Sequence, residues 1–375
     1  MAYLEAHDHA DVYVPHAFDE HIVDLGEVRL NYAVAGDAGL PALLLIPAQS
    51  ESWWGYEQAM PLLAEHFQVF AVDLRGQGRS TWTPGRYTLD TFGGDLVRFI
   101  DLVIGRPVIV SGLSSGGTIA AWLSAFAKPG QVTAAVWEDP PLFASEANPA
   151  VGQSIRQGIG AMFSLWNTYL GDQWSVGDWD GLQRAIPQTL PMSMLRGFAA
   201  MFPPLEGEQT PGVPQNLKEY DPEWGRAFVS GIATASCDHA NMISQVKVPV
   251  LLTHHFHQVD EATGTLVGAM SDLQARRAGE LVTAAGQDLT FRAFPDMPHS
   301  MHRYQPAVYT DTVVEWATKL GLLEPGDTGE DRIKQSLGSL LRGPRTARKH
   351  VVTRPKEDER DRCTDNHGGE RVQIP

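Results

Sequence analysis

One stretch, VIVSGLSSGG at residues 108–117, constrains the fold more than any other part of the chain. A buried apolar run leads into the pattern G-x-S-x-G, and a helical pattern follows directly. In a sharp strand-to-helix turn, the positions two residues before and after the serine have room only for glycine. Gly112 and Gly116 meet this requirement around Ser114. The pattern predicts that Ser114 is a nucleophile at the end of a strand. It also predicts that the N–H of Ser115, at the start of a helix, faces developing negative charge.

Apolar runs and helical periodicity alternate over most of the chain. Apolar residues spaced by three and four predict helices over 89–103, with Thr88 as N-cap, over 115–127 and over 307–320. Continuous apolar runs predict strands that are covered on both faces. The predicted strands are 29–35, 43–46, 69–72, 108–110, 133–137, 248–252 and 289–294. This alternation predicts a mostly parallel sheet with helices on both faces.

Two segments interrupt this pattern. Residues 140–245 lack clear strand runs and are rich in large apolar residues, which predicts a helical cap inserted between two parts of the core, 1–139 and 246–324. Residues 325–375 contain 11 Lys or Arg and 9 Asp or Glu and have few apolar residues. Such a composition buries too little surface to offset the entropy of ordering, so we expect a disordered tail.

The overall composition narrows the classes of function. Asp and Glu number 45 against 29 Lys and Arg, a net charge of −16, which disfavours nucleic acids and anionic membranes as partners. Cys237 and Cys363 are the only cysteines, which excludes a disulfide scaffold and suits a reducing compartment. The first residues have no secretory pattern, and no apolar run is long enough to span a membrane. We therefore expect a cytoplasmic protein.

A serine nucleophile needs a histidine base and an orienting carboxylate. Functional groups collect at the carboxyl ends of the strands in such a sheet. The loop after the last predicted strand contains His299 and His302. Two positions compete for the carboxylate: Glu138 and Asp139 follow the strand 133–137, and Asp260 follows the strand 248–252. The residues alone leave these alternatives open.

The loop after the strand 43–46 reads PAQSESWWGY and is the expected source of a second oxyanion donor. The backbone N–H of Gln49 is the candidate, together with that of Ser115. The large apolar residues near this loop and in the predicted cap suggest a bulky hydrophobic substrate. The candidate substrate contacts are Trp53, Trp54, Trp166, Met192 and Phe202.

A cluster of histidines at 254–257, HHFH, together with Asp260, offers ligands for a metal ion. Adjacent residues at a strand end point in opposite directions, so these side chains should not all converge. We therefore expect neither a metal nor another cofactor.

Three features resemble the α/β-hydrolase superfamily over about residues 22–323: the elbow around Ser114, the loop DLRGQGRS at 73–80, and a histidine seven residues before Pro306. The last feature selects His299 over His302. The resemblance implies a mostly parallel eight-stranded sheet with helices on both faces and an inserted helical cap.

Within this superfamily the chain resembles the zearalenone lactone hydrolases, which open a macrocyclic mycotoxin lactone. Their triad acid is a glutamate 24 residues after the serine, which is Glu138 here. Their oxyanion loop opens with a proline, as Pro47 does, although Gln49 stands where a glycine is usual. The resemblance implies a Ser114–His299–Glu138 triad that acts through an acyl-enzyme, with Asp260 as the alternative acid.

Other functions share these residues. A general carboxylesterase, a carbon–carbon bond hydrolase of ring-fission products, and a hydrolase-like receptor for a small molecule are the alternatives. Each would take a small hydrophobic ligand rather than a nucleic acid or a membrane. The sequence leaves open whether the chain forms a homo-oligomer.

Overall fold

The fold is described from a computed structural model, which covers residues 14–172, 177–205 and 213–324. Within these residues there are ten strands: β1 (Glu20–Asp24), β2 (Arg29–Ala35), β3 (Ala42–Ile46), β4 (Gln68–Val72), β5 (Val108–Leu113), β6 (Val132–Glu138), β7 (Val250–His254), β8 (Gln258–Val259), β9 (Leu266–Val267) and β10 (Leu289–Ala293). Eight of them form one sheet in the order β1-β2-β4-β3-β5-β6-β7-β10. The β1–β2 and β2–β4 pairs are antiparallel and the remaining pairs are parallel.

The central strands are buried along their whole length, as their continuous apolar sequences predict. All residues of β3, β5 and β7 are buried. All seven predicted strands are present, although β7 begins two residues later than predicted. The strand β1, whose residues are exposed or only partly buried, and the short β8–β9 hairpin were not among the predicted strands.

Helices cover both faces of the sheet. The α-helices of the described residues are α1 (Met60–Leu63), α2 (Leu89–Phe99), α3 (Ser115–Phe126), α4 (Ile159–Tyr169), α5 (Trp179–Thr189), α6 (Met192–Met201), α7 (Gln215–Lys218), α8 (Pro222–Ser230), α9 (His239–Ile243), α10 (Asp272–Ala284), α11 (Met301–Tyr304) and α12 (Pro306–Lys319). One apolar cluster packs α2, α3, α9 and α10 against the sheet. A second cluster packs α1 and α12 against the other face.

Local sequence signals set several helix starts. The side chain of Thr88, the predicted N-cap, accepts a hydrogen bond from the N–H of Thr91. The Thr91 hydroxyl accepts from the Thr88 N–H in return, so a capping box begins α2. Ser271 and Gln274 form the same arrangement at the start of α10, a helix that the sequence analysis did not predict. The cap at Ser271 also fixes the position of Asp272, the first residue of α10.

The described residues between β6 and β7 contain no strand, and their α-helices are α4 to α9. Phe163 of α4 packs edge-to-face on Phe228 of α8, with ring centroids 5.1 Å apart, so these helices have apolar contacts of their own. The boundaries of a cap at 140 and 245 remain a prediction. The predicted tail, 325–375, lies outside the described residues. No helix in the described part of the chain is long and apolar enough to cross a bilayer.

Candidate active site

The turn between β5 and α3 holds Ser114 in a rare backbone conformation. Its φ is 55° and its ψ is −121°, a region that residues other than glycine seldom adopt. The Ser114 N–H donates to the carbonyl of Glu138 at 2.8 Å, which fastens the turn to the end of β6. The serine thus stands on a strained turn at the carboxyl edge of the sheet, as predicted.

Two glycines give this turn its room. A Cβ atom on Gly112 would lie 2.1 Å from the Gly116 carbonyl oxygen. A Cβ on Gly116 would lie 2.3 Å from the carbonyl oxygen of Ile46 and 2.5 Å from that of Pro47. Neither position has space for a side chain, which is the reason for the glycine spacing in the sequence.

His299 lies on the loop between β10 and α11, and only 4% of its surface is exposed. Its backbone is held on both sides: its N–H donates to the Met201 carbonyl at 3.0 Å, and its carbonyl accepts from Nδ1 of His255 at 2.8 Å. His299 and Ser114 line the same cavity. The structure therefore places the predicted nucleophile and the predicted base on the wall of one cavity.

The carboxylate next to His299 is that of Asp139. Its Oδ2 lies 2.6 Å from Nδ1 of His299, and its Oδ1 accepts from the His255 N–H at 3.1 Å. Burial raises the pKa of Asp139, but the imidazoles of His255 and His299 outweigh burial, and the net effect lowers the pKa. Asp139 is thus ionised near neutral pH and orients the His299 ring.

The expected partnership between Glu138 and His299 is wrong in this structure. Oε2 of Glu138 lies 2.8 Å from Nδ1 of His302, and Oε1 accepts from the His302 N–H at 3.2 Å. The His302 ring stacks on Tyr56, with centroids 3.8 Å apart. Glu138 thus bonds His302, the second histidine of the loop, rather than His299, the first.

The physical reason is the alternation of side chains at the end of an extended strand. Glu138 is the last residue of β6 and Asp139 follows it, so the two carboxylates point to opposite sides. Asp139 also has a φ of 40°, which turns it out of the strand. The position of Asp139 directly after a buried strand was visible in the sequence, but the resemblance favoured its neighbour.

Asp260, the alternative acid, lies elsewhere. It follows β8, and its Oδ1 accepts from the backbone N–H and the hydroxyl of Thr263 at 2.9 and 2.7 Å. These bonds fix the turn between β8 and β9. In the structure the carboxylate that bonds Nδ1 of His299 is that of Asp139, so the alternative is also wrong as the partner of His299.

The two predicted oxyanion donors, Gln49 and Ser115, are close together. The Gln49 N–H donates to Oγ of Ser115 at 2.6 Å, and the Gln49 side chain donates to the hydroxyl of Tyr220 at 2.7 Å. The side chain of Gln77 donates to the Ala48 carbonyl at 2.6 Å and holds the same loop. The Gln49 N–H must therefore leave the Ser115 hydroxyl before it can bind an oxyanion, and its role stays a prediction.

A cavity of about 810 Å³ opens above Ser114. Apolar side chains dominate its walls, and Trp54, Trp166 and Phe202 line it in agreement with the predicted substrate contacts. The other two predicted contacts are not among the lining residues. Trp53 is fully buried, with its Nε1 bonded to Glu20, and Met192 is 61% exposed. The ring of Phe202 meets that of His299 edge-to-face at 5.4 Å.

Comparison with known proteins agrees with this topology. Residues 41–172 match a family model described as the alpha/beta hydrolase fold. A stretch of 98 residues is 30% identical to 3-oxoadipate enol-lactonase 2 of Acinetobacter baylyi, over 26% of this chain and 37% of that protein. Another of 132 residues is 31% identical to bifunctional epoxide hydrolase 2 of Sus scrofa, over 34% of this chain and 23% of that protein. These matches span less than two fifths of each relative's length.

Solved structures share the fold over most of the chain. The enol-lactonase from Burkholderia xenovorans LB400 aligns with a TM-score of 0.53 and 18% identity, over 80% of this chain and 100% of that one. An esterase from Rhodococcus sp. ECU1013 aligns with a TM-score of 0.57 and 19% identity, over 80% and 98%. The chain has the α/β-hydrolase fold. Residues 41–172 are thus similar in sequence, and the larger part of the chain is similar in fold, to α/β hydrolases.

Proposed function

We propose that this chain is a serine hydrolase that cleaves the ester bond of a bulky hydrophobic substrate, with Ser114 as nucleophile, His299 as base and Asp139 as the orienting acid. One observation carries the proposal: His299, whose Nδ1 lies 2.6 Å from Oδ2 of the buried Asp139, lines the same cavity as the strained serine of the elbow. A strained serine, an imidazole and an ionised carboxylate are the groups that acyl transfer needs.

The reaction follows from these groups. Asp139 accepts a hydrogen bond from the Nδ1–H of His299, and this tautomer leaves the lone pair of Nε2 available to take the proton of Ser114. Oγ of Ser114 then attacks the carbonyl carbon of the ester. The N–H of Ser115, at the start of α3, stabilises the resulting oxyanion, and Gln49 supplies a second donor after it releases the Ser115 hydroxyl. His299 next protonates the leaving alkoxide, and water releases the acyl group.

The nucleophile favours esters over epoxides, although an epoxide hydrolase is among the relatives. A serine that opened an epoxide would form an ether with the substrate. An ether has no carbonyl for water to attack, so the enzyme would not turn over. A serine that attacks an ester forms an acyl-enzyme, which water hydrolyses through the same oxyanion site.

The cavity supports a large apolar substrate. A volume of about 810 Å³ lies in the upper part of the range for small-molecule sites, roughly 300–1,000 Å³. Its walls include Trp166, Phe163 and Phe198. Zearalenone, a macrocyclic lactone with an aromatic ring, is our specific candidate. The loop that opens with Pro47, which resembles that of the zearalenone lactone hydrolases, and the partial match to an enol-lactonase support a lactone as the substrate.

The test is hydrolysis of zearalenone and of simple aryl esters by the wild type and by Ser114→Ala, with the addition of one water followed by mass spectrometry. We expect Ser114→Ala to lose at least about 10³-fold in kcat. Ser115→Ala is the matched variant, because it removes the neighbouring hydroxyl and keeps the backbone N–H, and its loss should be far smaller. Retained hydrolysis of every ester by Ser114→Ala would overturn the proposal. If the wild type hydrolyses aryl esters but not zearalenone, only the choice of zearalenone as substrate is overturned.

A further inference from the structure

A second group of histidines lies outside the cavity, at the end of β7. His254 is the last residue of this strand, and His257 follows three residues later. Their rings stack with centroids 4.3 Å apart. His255, between them, turns away to the carbonyl of His299, as the expected divergence of adjacent residues requires. Asp260, the carboxylate considered from sequence, is not part of this group. Asp272, the first residue of α10, takes its place.

The three side chains present one ligand atom each within a small space. Oδ1 of Asp272 lies 3.2 Å from Nε2 of His257 and 3.7 Å from Nδ1 of His254, and all three atoms lie within 4.8 Å of one another. In a tetrahedral site with bonds of about 2.1 Å, ligand atoms are separated by roughly 3.4 Å. Two of the three separations are therefore already close to those of a metal site.

The outer nitrogens of both rings are held by backbone carbonyls. Nε2 of His254 lies 3.0 Å from the Met270 carbonyl, and Nδ1 of His257 lies 2.9 Å from the His255 carbonyl. A carbonyl only accepts, so each of these nitrogens carries the proton of its ring. In the neutral rings the two inner nitrogens then present lone pairs toward Asp272. Carbonyl-anchored imidazoles of this kind are typical of metal ligands, because the outer bond fixes the tautomer and the ring orientation.

We propose that His254, His257 and Asp272 bind a divalent transition-metal ion such as Zn²⁺ or Co²⁺. When both rings are neutral, two lone pairs and a carboxylate face one another, and a cation between them makes three favourable bonds. Two imidazoles and one carboxylate suit zinc or cobalt, whereas calcium and magnesium prefer oxygen ligands. Solvent completes the coordination, since Asp272 is exposed and His257 is partly exposed.

The proposed site is separate from the hydrolytic one. None of its three residues lines the cavity above Ser114. A bound ion would tie the end of β7 and the segment after it to the start of α10. We therefore expect a stabilising role, which can be tested without reference to hydrolysis.

The experiment titrates Co²⁺ into the metal-stripped full chain and follows visible absorption, and it measures Tm with and without Zn²⁺. We expect visible bands from bound Co²⁺. We also expect a rise in Tm of about 4 °C when free Zn²⁺ exceeds its dissociation constant about 100-fold. His257→Gln and Asp272→Asn should weaken Co²⁺ binding at least about tenfold and abolish the rise in Tm.

His21→Gln is the matched control, because it removes an exposed histidine on β1, far from this cluster in sequence. It should bind Co²⁺ as the wild type does. Each variant is compared with itself in the absence of metal, so its own stability does not enter the result. The proposal fails if the wild type shows neither bands nor a rise in Tm. It also fails if His257→Gln and Asp272→Asn keep both.

Discussion

Two histidine–carboxylate pairs stand side by side in this molecule, and only one of them faces the cavity. His299 bonds Asp139 and His302 bonds Glu138, both through Nδ1, at 2.6 and 2.8 Å. The acids are neighbours in sequence and the histidines are three residues apart. His299 lines the cavity with Ser114, whereas His302 is fully buried beneath Tyr56.

The comparison of these two pairs shows that a short imidazole–carboxylate bond does not by itself identify a catalytic pair. Nε2 of His302 is buried and has no hydrogen-bond partner within the described residues. Glu138 also accepts the His302 backbone N–H, so this pair fastens the start of α11, just after His299. We expect the His302 pair to hold the loop and the His299 pair to transfer protons.

The largest expected effect separates the two histidines by rate. His299→Gln should lower kcat for an aryl ester by roughly 10⁴–10⁶-fold, because it removes the base that activates Ser114. His302→Gln should lower kcat by less than about tenfold, and it should mainly lower stability, because it leaves the buried carboxylate of Glu138 with a weaker partner. Hydrolysis rates and urea unfolding of both variants measure this contrast. Equal losses of kcat in the two variants would contradict the different roles that we assign to His299 and His302.

A smaller effect concerns how stability depends on pH. Folding lowers the pKa of Asp139. The ionised carboxylate therefore stabilises the fold at pH values above the pKa of an unfolded Asp, about 3.9. This stabilisation disappears as the pH falls through the pKa that Asp139 has in the folded protein. Asp139→Asn should therefore be less stable than the wild type at pH 7. The difference should shrink as the pH falls below about 4.

Urea unfolding of both proteins between pH 7 and pH 3 measures this difference. A difference that stayed constant over that range would mean that Asp139 gains nothing from its ionised contacts with His299 and His255.

Much of the fold could be predicted because its signals are local. The apolar run of β3, the glycines around Ser114 and the cap at Thr88 each act within a few residues, and the structure contains all three features. His299, selected by its spacing from Pro306, lines the cavity with Ser114, and the short helix α11 connects it to α12.

The choice between neighbouring acids could not be made in this way. Whether Glu138 or Asp139 reaches His299 depends on which side of the strand end each residue faces. Asp139 has a positive φ there, and it bonds Thr253 and His255, which lie far along the chain. The position of Asp272 could not be predicted either. It lies outside the HHFH segment in sequence, and only the folded position of α10 brings its carboxylate close to His254 and His257. Contacts of this kind arise from the tertiary fold.

The central claim is that Asp139, rather than Glu138, orients the histidine that activates Ser114. The most direct measurement is the rate at which a fluorophosphonate modifies Ser114, followed by intact mass, in Asp139→Asn and Glu138→Gln, with circular dichroism to confirm that both variants fold. We predict that Asp139→Asn slows the modification by about 10⁴-fold, because an amide favours the wrong tautomer of His299. Glu138→Gln should slow it by no more than about tenfold. Fast modification in Asp139→Asn together with a loss in Glu138→Gln would contradict the claim and return the role to Glu138.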